Sequence, residues 1–149
     1  MNKIFRWIIG ILCVLGLVAV RFFEDYLFFD PLQQFYHGLY LNATTAPDFD
    51  LWESWLSISL RFFINTALSF LILYVAFRSA SVMRFSFWLY GISWVLLSAL
   101  FCITALDLQP DEFFTVFYIR RFLIQPLFIL LLLPAFYYQR SQADSKNGK

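Results

Sequence analysis

The sequence predicts an all-α integral membrane protein with four transmembrane helices, and three observations support this fold class. Hydrophobic residues make up 61% of the chain and charged residues 14%, whereas a soluble domain has roughly 45–50% and 25%. Four windows are apolar enough, over about 20 residues, to cross a hydrocarbon core roughly 30 Å thick. Basic and acidic residues alternate between the connecting segments, as expected for a chain that crosses a membrane repeatedly.

The four windows define the predicted helices at about 4–23, 52–77, 85–106 and 113–138. The third window contains no charged residue, whereas the second contains Arg61 and the fourth contains Arg120 and Arg121. We expect residues 1–139 to form one transmembrane domain, because no Gly/Ser-rich linker divides them. The polar residues 140–149 are predicted to form a disordered cytoplasmic tail.

The distribution of charge predicts the orientation of these helices. Three segments near helix ends are basic, and they contain Lys3 and Arg6, then Arg78 and Arg84, then Arg140, Lys146 and Lys149. Nine of the ten acidic residues occur in the other two connections, at Glu24, Asp25, Asp30, Asp48, Asp50, Glu53, Asp107, Asp111 and Glu112. Because positively charged loops remain in the cytoplasm, the N-terminus and the C-terminus are both expected there.

A short periplasmic helix is predicted at about 31–41, between the first and second spans. Asp30 can cap this helix with Pro31 in its first position. Its apolar residues share one face at helical spacing, and they are Leu32, Phe35, Tyr36, Leu39 and Tyr40. We therefore expect an interfacial helix that lies along the membrane surface. Asp50, followed by Glu53, is predicted to cap the second span in the same way.

Arginines near the outer ends of the spans provide the candidate binding residues. Three of them are followed four positions later by a polar residue, which places both side chains on one helix face. These pairs are Arg21 with Asp25, Arg61 with Asn65, and Arg121 with Gln125. The candidates for binding a partner or an anion are Arg21, Arg61, Asn65, Arg120, Arg121 and Gln125. We assign the largest expected effect to Arg121, because Gln125 lies one turn from it and Pro126 fixes the local bend. Ordinary tolerance of a proline within a span is favoured over a kink that redirects Arg120 and Arg121.

Three interpretations of these arginines remain open. They can extend to lipid headgroups and form internal salt bridges, for which the expected partners are Glu24, Asp107, Asp111 and Glu112. They can form a face that binds a protein partner. They can also bind an anionic ligand, such as an anionic lipid or a lipid-linked glycan.

Candidate catalytic residues are few, and none is assigned. Cys13 and Cys102 lie at different depths in their spans, so we expect no disulfide between them. Cys102, the single His37 and an arginine could form a cysteine peptidase or transpeptidase site, but a packing cysteine and a solvated histidine are favoured. The sequence shows no metal-ligand spacing, no cofactor motif and no basic patch for nucleic acid.

Three stretches resemble one family of small membrane proteins. They are "VRFFEDYLFFDPL" at 20–32, "RFFINT" at 61–66 and "YIRRFLIQPLFILLLLPAFYYQ" at 118–139. Together they resemble the exosortase F system-associated membrane proteins, which are encoded beside an exosortase in Gram-negative bacteria. The resemblance implies a multi-pass inner-membrane protein that is accessory to a protein-sorting system. It implies an exosortase or another inner-membrane protein as partner, besides membrane lipids, and supplies no catalytic residue.

Overall fold

The structure is a computed structural model that describes residues 3–38, 40–125 and 127–147. The described residues form helices and 3-10 turns, without a β-strand. The helices are α1 (Lys3–Phe22), α2 (Glu24–Leu27), α3 (Pro31–His37), α4 (Leu51–Phe77), α5 (Ala80–Leu106), α6 (Phe113–Ile124) and α7 (Leu127–Asn147). Two 3-10 turns, Tyr40–Asn42 and Pro110–Glu112, lie before α4 and α6.

Three helices, α1, α4 and α5, are each long and apolar enough to cross a membrane. A fourth crossing exists if α6 and α7 together form one span, although their axes differ by 55°. The predicted all-helical fold is therefore confirmed, with three or four helices of membrane-spanning length and composition, which indicates a membrane protein. The break lies between Ile124 and Leu127. Pro126, to which a bend was assigned, lies outside the described residues.

Helix α4 occupies the centre of the bundle. It packs against α1, α5 and α6, and α3 and α7 also contact it. Its buried positions recur at helical spacing, for example at Ser54, Ile58, Phe62 and Ser69, as expected for a face directed to neighbouring helices. Helices α5 and α6 also pack against each other, and each contributes fully buried side chains to the core. The face of α4 thereby fixes the positions of the surrounding helices.

Local sequence signals account for the starts of two helices. Asp30 has extended backbone geometry, and its side chain accepts a hydrogen bond from the backbone N–H of Leu32 at the start of α3. Asp50 accepts hydrogen bonds from the N–H groups of Trp52 and Glu53 at the start of α4. Both predicted caps are confirmed, because a cap depends only on the residues next to it.

The short helix α3 differs from its predicted extent and surroundings. It ends at His37, whereas the sequence predicted a helix over 31–41, and Gly38 follows as a residue of low helix propensity. Of the predicted apolar face, Leu32 and Tyr36 are buried inside the protein. Leu39 lies outside the described residues. The aromatic face of α3 thus packs on the bundle.

Two other helix ends extend beyond their predicted bounds. Helix α5 begins at Ala80, earlier than the predicted start at 85, because no glycine or proline interrupts residues 80–84. Helix α7 continues to Asn147, where residues 140–149 were predicted to be disordered. That prediction used polarity alone, and these residues lack a helix breaker as far as the described part of the chain extends.

Candidate functional site

The most unusual feature of the bundle is a cluster of charged and polar side chains inside it. This buried charge cluster consists of Glu24, Asp30, Gln33, Arg61 and Arg120. Arg61 is 2% exposed and Arg120 is 5% exposed, although arginine is almost never fully buried unless it is paired. The cluster connects α2 and α3 with the long helix α4 and with α6.

Asp30 and Arg120 form an ion pair that holds α3 against α6. One Asp30 carboxylate oxygen caps α3 through the N–H of Leu32 at 3.1 Å, and the other accepts from the Arg120 guanidinium. The Arg120 guanidinium also lies over the ring of Tyr36, 5.0 Å from its centroid. The Tyr36 hydroxyl donates to the carbonyl of Phe113, at the first position of α6, at 3.1 Å. A charge-assisted hydrogen bond and a cation–π contact therefore fix the same two helices.

Arg61 connects α4 to the segment that includes α2 and α3. Its Nη2 donates to Gln33 Oε1 at 2.9 Å and to the carbonyl oxygen of Phe28 at 3.5 Å. Its Nη1 lies 3.7 Å from Glu24 Oε2. The guanidinium also stacks over the Phe28 ring at 5.0 Å. One arginine thus contacts α2, α3 and the connection between them.

The charged side chains of the cluster are paired within the chain. Asp30 pairs with Arg120, and the partly buried Glu24 is shared between Arg61 and the exposed Arg21. Pairing of this kind offsets part of the cost of removing charges from water. The Nε atoms of Arg61 and Arg120 have no hydrogen-bond partner among the described residues. Internal pairing of this kind favours a structural anchor over a free anion-binding site.

The three predicted arginine pairs have different outcomes. Arg121 Nε donates to Gln125 Oε1 at 3.2 Å on the exposed surface, so this pair forms. Arg21 instead pairs with Glu24 at 2.7 Å, because a break at residue 23 separates α1 from α2.

The predicted pair between Arg61 and Asn65 does not form, although both side chains are buried. Asn65 Nδ2 donates to the carbonyl of Ile124 at 2.7 Å. That carbonyl belongs to the last turn of α6, where carbonyls lack a partner within their own helix. Arg61 instead contacts Phe28 and Gln33. The two residues lie on one face of α4 but bind different neighbours.

Burial also separates the candidate arginines into two groups. Arg61 and Arg120 are buried, whereas Arg21 and Arg121 are exposed. From this burial we expect a larger effect from replacing Arg120 than from replacing the adjacent Arg121.

Sequence reasoning predicted only part of the ion-pair network. It predicted Glu24 as a partner, but Asp107, Asp111 and Glu112 form no ion pair with any described residue. It missed Asp30 as the partner of Arg120, because 90 positions separate the two residues. It also missed Gln33, whose spacing carries no signal for a contact with α4.

The opposite side of the 22–29 segment is an exposed aromatic surface. Its rings belong to Phe22, Phe23, Tyr26 and Phe29, and Tyr26 is 90% exposed. The neighbouring Phe28 is 6% exposed and lies under Arg61. The buried charge cluster therefore fixes this aromatic surface through the contact of Arg61 with Phe28, on the buried side of the segment.

Cys102 lines a groove of about 640 Å³ between the start of α4 and the second half of α5. Trp52 and Trp55 also line this groove, and their rings stack at 5.1 Å. His37 is exposed at the end of α3 and is not among the described residues that line the groove. The structure therefore does not bring the candidate nucleophile and base together there.

Both cysteines are free, and Cys13 is buried in α1. Among the described residues, no group of three His, Cys, Asp or Glu side chains could hold a metal ion. Comparisons of the chain with protein-family models, with curated proteins and with solved structures found no match.

Proposed function

We propose that this protein is a non-enzymatic accessory subunit of the bacterial inner membrane, which binds a membrane partner through its exposed aromatic surface. One observation supports this proposal above the others: Phe22, Phe23, Tyr26 and Phe29 project outward from a segment that buried ion pairs hold in place. The partner class, an exosortase-type sorting protein, is suggested by the resemblance of the stretches at 20–32, 61–66 and 118–139.

The physical argument for a binding surface is preorganisation. Aromatic side chains often contribute most of the binding energy at protein interfaces. A surface that is ordered before binding loses less conformational entropy when the partner docks. Arg61 and Asp30 provide that order here, because they connect the segment to α4 and α6.

The binding proposal predicts a loss of association when the exposed rings are removed. The double variant Tyr26→Ala/Phe29→Ala should weaken co-purification with the exosortase by about 30-fold, which corresponds to roughly 2 kcal/mol for an interface hot spot. The measurement is a pull-down in mild detergent at matched protein levels. The control is Tyr138→Ala/Phe87→Ala, which removes rings that are also exposed. Equal binding by both double variants would contradict the proposal.

The proposed orientation places both termini in the cytoplasm and four spans across the membrane, with α6 and α7 together forming the last. It rests on the basic residues beside the termini and beside the turn between α4 and α5. A cysteine at Ser81 should therefore react only with a reagent that enters the cytoplasm, whereas a cysteine at Thr45 should react from the periplasm. Labelling of the Ser81→Cys variant from the periplasm would exclude this topology.

An alternative function is a cysteine peptidase or transpeptidase, which the groove beside Cys102 makes worth testing. We expect Cys102→Ala and His37→Ala, alone or combined, to leave protein sorting unchanged. We expect this because Cys102 lines the groove, whereas His37 is not among the described residues that line it. The measurement is the amount of correctly sorted client protein at equal abundance of each variant. A loss of sorting with Cys102→Ala alone would favour the enzyme.

A further inference from the structure

A lateral groove lies between α1 and α7, and the last two turns of α4 form its floor. The groove has a volume of about 930 Å³. Its apolar lining comes from all three helices, including Ile11 of α1, Ile72 of α4 and Leu133 of α7. A groove open to one side and lined by apolar side chains suits a hydrocarbon chain.

Gly10 keeps the wall of this groove open. A Cβ atom at Gly10 would meet no atom of the described residues within 4 Å, apart from its own helix and its chain neighbours. By contrast, a Cβ at Gly16 would contact Leu68 at 3.4 Å, where α1 packs closely against α4. Gly10 therefore borders space that the described protein does not fill.

One end of the groove is polar and carries a net positive charge. Arg6, Arg140, Ser141 and Asp144 line this end, so two arginines and one aspartate leave one net positive charge. Arg6 donates to the carbonyl of Val75 through Nε at 3.1 Å and Nη2 at 2.7 Å. Within the described part of the chain, neither Arg140 nor Asp144 takes part in an ion pair. The Arg140 guanidinium is thus available to an anion.

Aromatic residues flank this charged end. Trp7 and Tyr137 both line the groove. Trp7 follows Arg6 directly in sequence, and Tyr137 lies three positions before Arg140, close to one helical turn away. Tryptophan and tyrosine are enriched at the level of lipid headgroups, where one part of the ring is apolar and the other polar. The groove therefore changes from apolar to cationic towards one end, in the same order as a lipid changes from acyl chain to phosphate.

We propose that this groove binds one anionic phospholipid, with an acyl chain along α4 and the phosphate at Arg140 and Ser141. The charge complementarity is the argument for this occupant over an apolar helix of another protein, which would bring no anion to Arg140. This site lies beside the termini of α1 and α7 and is separate from the exposed aromatic surface, so it does not depend on the proposed function.

The test compares retained lipid in the purified full-length protein. The protein is reconstituted with equal amounts of phosphatidylglycerol and phosphatidylcholine and then extracted in mild detergent. Native mass spectrometry measures the mass of the protein with its bound lipid, which identifies the lipid. We expect wild-type protein to retain phosphatidylglycerol preferentially. Arg140→Gln should lower this retention about fivefold, as expected from one lost contact between arginine and an anionic lipid. Arg84→Gln, an exposed arginine on α5, is the control and should retain lipid like the wild type.

A second pair of variants tests the hydrocarbon part of the groove. Gly10→Phe should fill the groove and remove both lipids, whereas Gly91→Phe, which also enters open space, should have no effect. The elution volume in size-exclusion chromatography verifies that each variant is folded. If Gly10→Phe does not fold, the variant Arg140→Gln, which changes an exposed residue, still tests the proposal. Equal retention of the two lipids by the wild type, or equal phosphatidylglycerol retention by Arg140→Gln and Arg84→Gln, would overturn the proposal.

Discussion

Arg120→Met is expected to lower the free energy of unfolding by about 3–5 kcal/mol, the usual cost of removing one partner from a buried ion pair. The reason is that the Asp30 carboxyl, in a residue that is 6% exposed, would lose its ion-pair partner. Steric trapping, applied to the protein during reversible unfolding in bicelles, measures this difference in the free energy of unfolding. The matched control is the adjacent Arg121→Met. It removes an exposed side chain and should change stability by less than about 1 kcal/mol.

A second variant separates the ion pair from other effects of the substitution. Asp30→Asn combined with Arg120→Met should be more stable than Arg120→Met alone, because the remaining buried charge is removed while asparagine can still cap α3. If Arg120→Met and Arg121→Met destabilise the protein equally, burial of Arg120 does not determine its contribution.

Arg61→Met is expected to cost less, about 1.5–3 kcal/mol for the lost hydrogen bonds to a charged group, because Glu24 keeps its contact with Arg21. The variant should also release a defined segment. Arg61 contacts Glu24, Phe28 and Gln33, so its loss should loosen α2 and α3 while the long helices remain. Hydrogen exchange of the backbone amides of residues 24–37 should therefore accelerate more than exchange in α4 or α5. Uniform acceleration along the chain would contradict this role.

Lysine at position 61 distinguishes charge from geometry. Arg61→Lys should recover only part of the lost stability, because a single ammonium cannot match the planar guanidinium that contacts three points and stacks on Phe28. Arg21→Met serves as the control, since Arg21 also pairs with Glu24 but its side chain is 57% exposed. We expect that control to cost less than about 1 kcal/mol.

These variants also connect the buried cluster to the proposed partner. If Arg61 only orders the exposed aromatic surface, Arg61→Met should weaken association with the exosortase even where its abundance is restored. A variant of Tyr26 and Phe29 should weaken association without lowering stability. The two results together separate support of the surface from contact with the partner.

Several features were predictable because they depend on short stretches of sequence. The second span was predicted at 52–77 and the structure gives Leu51–Phe77, since both its apolar length and its Asp50 cap are local. The break between α6 and α7 was less predictable. The apolar pattern continues across 113–138, and hydropathy carries no information about the angle between two consecutive helices.

By itself, the sequence determined that this is a helical protein of membrane-spanning composition, in which stretches its long helices lie, and that Asp30 caps the short helix α3 and Asp50 the long helix α4. Only the tertiary structure decided which arginines are buried. Arg120 and Arg121 are neighbours in α6, and successive residues of a helix point about 100° apart. They therefore face different surroundings, but spacing alone cannot say which of them meets Asp30, because that contact depends on where the chain places α3 ninety positions earlier.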